Sequence, residues 1–137
     1  MYNLHYNIYS LPHRNIHKTG WYSFCLINNK DNSSLLLLDP SSGEIPEDLD
    51  NGIVISVKED QLPQQIRDSL KNYPLFYQSG HGPFPLTAFE RFDISNLFEK
   101  IASQINSGYI YKDFLLANLS LQIIHFGIKH FSDTKVL

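Results

Sequence analysis

An α+β fold is what this sequence predicts: a small β-sandwich or open barrel in front, with two or three helices packed at its C-terminal end. Three observations carry that expectation. Residues 1–92 set short apolar runs between clusters of turn residues, the pattern of strands, interrupted by one helix near 59–72. Residues 93–131 change to a helical period and form a pair of helices. The 137 residues, 42% hydrophobic and 18% charged, suffice for a single globular domain, 1–137, whose core needs neither disulfide nor structural metal.

The elements follow in order. Tyr2, Leu4, Tyr6 and Ile8 alternate with Asn3, His5 and Asn7, which is the period of a strand with one buried face, and Ser10-Leu11-Pro12 ends it. Residues 21–27, Trp-Tyr-Ser-Phe-Cys-Leu-Ile, read as a strand buried on both faces. A turn at 28–32 leads to Leu35-Leu36-Leu37-Leu38, stopped by Asp39-Pro40. Gly52-Ile53-Val54-Ile55-Ser56-Val57 is the clearest of the later extended pieces. Residues 59–72 place Leu62, Ile66 and Leu70 on one helical face, with Pro63 acceptable in the first turn. Residues 84–92 are expected to add a last strand, with Leu86 and Ala88 facing one way.

In residues 93–105, Ile94, Leu97, Phe98, Ile101 and Ile105 form one apolar stripe, with Asp93 as the expected N-cap and Ser107-Gly108 as the stop. Residues 109–131 are apolar on nearly every side, and a helix of that kind is buried in a large core, in a membrane or between subunits. Lys112, Asp113, Asn118, Gln122, His125 and Lys129 interrupt the run, so a membrane span is not expected. A homodimer through this C-terminal helix is the expectation, with Leu115, Leu116, Leu119, Ile123 and Phe126 facing the partner or the core. The alternative is a helix lying deep against a sheet, its outer apolar residues exposed singly.

The formal charge of −3 supplies no basic face to displace counterions from phosphates, so direct contact of this chain with nucleic acid is not expected. Cys25, the one cysteine, lies in an apolar run and reads as a small core residue. Met1-Tyr2-Asn3-Leu4-His5 lacks a basic region leading into an apolar one, and a cytoplasmic location fits both observations.

Residues 35–43, Leu-Leu-Leu-Leu-Asp-Pro-Ser-Ser-Gly, and residues 50–62, Asp-Asn-Gly-Ile-Val-Ile-Ser-Val-Lys-Glu-Asp-Gln-Leu, resemble the end of the cupin-like sensor domain of AraC-type transcription regulators. The order continues with the connector Pro74-Leu75-Phe76 and the two helices, so the resemblance runs from about residue 21 onward. It implies a cupin-like β-sandwich or open barrel followed by C-terminal helices, acting in effector sensing and dimerisation for transcription regulation. Two departures stand out. The family's pair of helix-turn-helix units is not found in this sequence, so DNA reading is expected to lie outside it, and the strand-rich front is short for a closed barrel.

Candidate chemistry is sparse. His13 and His17 are four apart, but Pro12 and Gly20 bracket a loop and no Cys, Asp or Glu nearby completes a ligand set, so no metal is expected. His81 sits between two glycines without a nameable orienting partner, and Glu44, Glu47, Asp48 and Asp50 read as a solvated loop. His125 and His130 read as interface histidines on the last helix. With no nucleophile signature, phosphate loop or dinucleotide fingerprint, the expectation is no catalytic residue, no cofactor and no enzyme. If the strands curl, Tyr6, Trp21, Tyr22 and Phe24, with Arg14 and His17 as polar groups, would line a site for a sugar or small organic effector; a filled aromatic core is the other reading. Two further functional readings stay open: a stand-alone cupin-like small-molecule binding protein or enzyme, and a module that titrates full-length regulators into inactive heterodimers.

Overall fold

Every residue from Tyr22 to Ile27 is buried, and that central strand sets the architecture. A computed structural model describes residues 5–11, 19–29, 31–41, 51–71, 76 and 83–135. Its strands are β1 (Tyr6–Leu11), β2 (Trp21–Asn28), β3 (Ser33–Leu38), β4 (Gly52–Lys58) and β5 (Phe84–Leu86). Its helices are α1 (Gln64–Leu70), α2 (Ala88–Gln104) and α3 (Lys112–Lys135), with a 3-10 turn at Glu59–Gln61. The strands form one sheet in the order β1-β4-β2-β3-β5, antiparallel throughout. The α+β class is thus observed, with the described strands in a single sheet.

Strand register sorts the apolar residues onto two faces. Phe24 lies between Leu37 of β3 and Ile55 of β4, and Tyr22 shares a row with Val57 and Tyr6. This face packs against α2 through Ile94, Phe98, Ile101 and Ile105, and against α3 through Leu116, Leu119, Ile123 and Ile124. On the other face Leu36, Cys25, Val54 and Tyr9 form a row, joined by Leu11, Ile27 and Leu38. The same side carries the buried hydroxyl pair Ser23–Ser56 at 3.0 Å. Each hydroxyl satisfies the other where water is excluded. No described helix residue joins this second cluster.

The helices run antiparallel. Lys112, at the start of α3, donates through Nζ to the carbonyls of Ile105 and Ser107 at the end of α2. A cation there satisfies free carbonyls and opposes the helix dipole. At the other end Phe126 and His130 of α3 lie beside Thr87 and Glu90 at the start of α2. The stripe read from the sequence is the one that packs inward, Leu97 being partly buried and the other four buried.

Three expected boundaries are corrected. Residues 84–92 are not one strand: β5 ends at Leu86 and α2 begins at Ala88, so Asp93 is an interior residue and not the N-cap. Thr87 caps instead, its hydroxyl accepting from the Glu90 N–H while the Glu90 carboxylate accepts from the Thr87 N–H. This reciprocal box satisfies two otherwise unpaired donors, and its Thr-x-x-Glu spelling is present in the sequence. The segment 59–72 divides at Pro63, which stands just before α1 because it has no N–H to give to an interior turn. The last helix begins at Lys112, not at 109, and Tyr109 to Tyr111 form the corner between the helices.

Gly52 opens β4 at φ +152°, and a Cβ there would collide with the Leu26 carbonyl oxygen across the sheet. Gly52→Ala is expected to lower stability by about 2–3 kcal/mol, since neither the backbone conformation nor the neighbouring strand accommodates a side chain. Thr87→Ala removes one half of the capping box and is expected to cost about 1 kcal/mol. Urea denaturation of the two variants beside the parent chain measures both.

Candidate functional site

Of the residues expected to form an effector site, three share one face of the sheet and one lies on the other. Tyr6, Tyr22 and Phe24 point to the helix side of the sheet and are buried in the core, while Trp21, next to Tyr22 in β2, is on the opposite face and half-buried. Tyr6 and Phe24 are therefore packing residues. Arg14 and His17 lie outside the described residues, as do His13, His81 and the acidic run at Glu44, Glu47, Asp48 and Asp50. Among the described residues no group of three or more His, Cys, Asp or Glu side chains could hold a metal ion.

Tyr22 does border an opening. Where β2 begins and β3 ends, the sheet diverges from α1 and leaves a cleft of about 340 Å³. Asp39, Pro40 and Ser41 form one wall, Glu59, Gln64, Arg67 and Lys71 the other, and Tyr22, Leu70 and Phe76 the base. Its size falls in the range of small-molecule sites. Backbone bonds tie the walls together: Gly20 N–H donates to the Pro40 carbonyl at 3.0 Å and Glu59 N–H to the Gly20 carbonyl at 2.9 Å. Gly20 thus joins both sides, and its φ of +91° is one that a side-chain-bearing residue rarely adopts.

The cleft mixes charges. Ser41 Oγ donates to Asp39 Oδ2 at 3.0 Å, and Arg67 Nε donates to the Leu62 carbonyl at 3.2 Å, which holds the guanidinium at the base of α1. The Tyr22 ring lies 5.9 Å from Phe76. Burial pushes the Tyr22 phenol up to about 12, and the negative charges of Glu59 and Asp39 act in the same direction against Arg67. At neutral pH Tyr22 therefore presents a neutral hydroxyl, able to donate or accept. Burial likewise pushes the Cys25 thiol up to about 12, which leaves it an inert core residue.

The second candidate is a surface. Leu116 and Ile123 are fully buried within the chain and Leu119 nearly so, while Leu115 and Phe126 pack against the same core. The three buried residues expected at a dimer seam are thus occupied inside the subunit, because the sheet face needs them. Four of the exposed large apolar residues gather at the helix corner. Ile110 and Phe114 are 84% and 74% exposed, and Tyr109 and Tyr111 about half. Their rings form a chain, Tyr109 against Tyr111 at 5.9 Å and Tyr111 against Phe114 at 6.2 Å. Beside Phe114 a groove of about 410 Å³ runs between α3 and the 3-10 turn, lined by Asp60, Gln61, Leu62, Pro63, Ala117, Asn118 and Leu121. Phe89 and Phe92 are exposed at the far end of α2. His125 is exposed, and His130 packs against Phe84 at 4.9 Å and Phe126 at 6.0 Å.

Sequence reasoning missed Glu59, Arg67 and Phe76 because the cleft arises where α1 folds back over β2, a long-range event. The available signal was Pro63, which divides the segment and turns Glu59 and Arg67 to one opening. Among the described residues no helix is long and apolar enough to cross a membrane. No family model matches the chain, and no curated protein matches it either.

The tyrosines give a pH test. Tyr22 is raised toward 12, and Tyr6 is raised further by burial and then by Asp113 and Asp60, above the ordinary value of 10.0. The folded state holds these protons more tightly than the unfolded state, so their contribution is complete below pH 10 and is lost as the pH rises from 10 toward 12. Tyrosinate absorbance should show exposed tyrosines ionising first, with Tyr22 and Tyr6 ionising only as the fold opens. The Tyr22→Phe variant should remove the part of the alkaline loss that belongs to Tyr22.

Proposed function

We propose that this chain is the sensor and self-association domain of an AraC-like transcription regulator, pairing with a second copy of itself, with DNA read by residues outside the present sequence. The observation that carries the pairing is the exposed Ile110–Phe114 projection beside its own apolar groove. A projection and a groove adjacent on one surface are what a two-fold interface requires, since each copy can insert the first into the second. The exposed aromatic residues are the kind that anchor such contacts. The order of a strand-rich front half and an antiparallel helix pair supports the family reading. In it the second face of the sheet, where Leu36, Cys25 and Val54 gather, is the inner face of the cupin-like front half, and the helices lie on the other side. The cleft at Tyr22 then supplies an effector site on the helix side. A stand-alone small-molecule binding protein is the second reading, and the same cleft favours it.

Light scattering coupled to size-exclusion chromatography tests the pairing. The parent chain is expected to run as a dimer at micromolar concentration and Phe114→Glu as a folded monomer, because the substituted side chain is solvated in one copy and buried without a partner in two. Leu119→Glu should behave differently. Leu119 is 5% exposed within the subunit, so the charge is expected to cost about 3 kcal/mol or more of folding stability and to unfold the chain, not simply dissociate it. A parent chain that is monomeric throughout the micromolar range would refute the pairing.

A further inference from the structure

We propose that the cleft between β2 and α1 binds a zwitterionic small molecule of the amino-acid class, its carboxylate toward Arg67 and its ammonium toward Glu59. The proposal deepens the sensor reading by naming the effector's chemistry, and it rests on that reading only for the regulatory role.

Two opposite charges line one small opening without meeting. Glu59 and Arg67 are both half-buried, both border the cleft, and form no ion pair with each other. Among the described residues neither has another ion-pair partner. Removing a charge from part of its water without a counter-charge is unfavourable, so a guest that supplies both counter-charges at once gains from each of the two residues. A simple anion would gain from Arg67 and be repelled by Glu59 and Asp39; a simple cation would meet the reverse. A molecule carrying both charges, oriented along the line from Glu59 to Arg67, gains from both. That orientation is the cleft's selectivity.

The rest of the lining fits the same guest. Arg67 is anchored through Nε to the Leu62 carbonyl, so its terminal nitrogens are held on a fixed stem. Tyr22 presents its hydroxyl beside Glu59, Asp39 and Arg67, and Leu70 and Phe76 give an apolar base for a short side chain. Lys71 is a weaker contributor, since its ammonium is exposed and lies 3.8 Å from Asp68.

Isothermal titration calorimetry of the full chain with each standard amino acid tests the site, with acetate, methylammonium, N-acetyl amino acids and amino-acid amides as single-charge controls. At least one amino acid is expected to bind in the millimolar range or tighter, and its N-acetyl and amide forms at least about tenfold more weakly, as loss of one charge-assisted contact requires. Glu59→Gln and Arg67→Gln should each weaken binding about tenfold, the first leaving the melting temperature of the empty protein unchanged and the second lowering it through loss of the bond to the Leu62 carbonyl. Should Arg67→Gln fail to fold, Glu59→Gln decides alone, because its backbone contacts do not involve the carboxylate. Absence of amino-acid binding, equal binding of acetate, or binding indifferent to Glu59→Gln would overturn the proposal. Light scattering on the same samples separates the two readings: a dimer that binds no amino acid sinks the site and leaves the pairing, whereas binding to a persistent monomer leaves the site and sinks the regulatory role.

Discussion

The rest of the structure depends on a sheet that is apolar on both faces. Leu35, Leu36, Leu37 and Leu38 alternate sides, and so do Phe24 and Cys25, so a face packed on one layer leaves a second face needing another. The two described long helices cover the Phe24 face alone. That division explains why α3 is so apolar. It packs on the sheet beside α2, burying Leu116, Leu119, Ile123 and Ile124, and each of these side chains removed from water is worth roughly 1.5–3 kcal/mol. An amphipathic helix facing one neighbour would not need residues on so many sides.

The two doubly buried strands were legible in the sequence because their residues are apolar at consecutive positions, and β4 because Gly52 and Lys58 punctuate a β-branched run. The inward stripe of α2 was legible for the same local reason. What sequence periodicity does not carry is which partner an apolar residue will meet. Leu119 and Phe114 are alike in composition terms, yet one lies under the sheet and the other in solvent, because α3 rotates to satisfy the sheet first. The alternation of Leu86 and Ala88 does not separate β5 from α2, whereas the Thr87–Glu90 box, a purely polar signal, fixes the boundary. Of the aromatic residues read as an effector site, Tyr22 borders the cleft, and its partners come from two segments, one beginning 17 positions and the other 37 positions further along the chain.

The cleft and the corner differ in their physics. The cleft is small, walled by backbone hydrogen bonds and mixed in charge, which favours orientation of a guest over strength of attachment. The corner is broad, aromatic and convex, which favours contact with another macromolecular surface. In the proposed function the first receives the signal and the second holds the assembly together.

Residues 59 to 67 stand between them. Glu59, Gln64 and Arg67 border the cleft, while Asp60, Gln61, Leu62 and Pro63 border the groove beside Phe114. One short piece of chain, pinned through the buried Leu62, is therefore the partition wall of two compartments. A shift of that wall which tightens one compartment changes the shape of the other, and thermodynamic reciprocity then makes occupancy of either bias occupancy of its neighbour by the same factor.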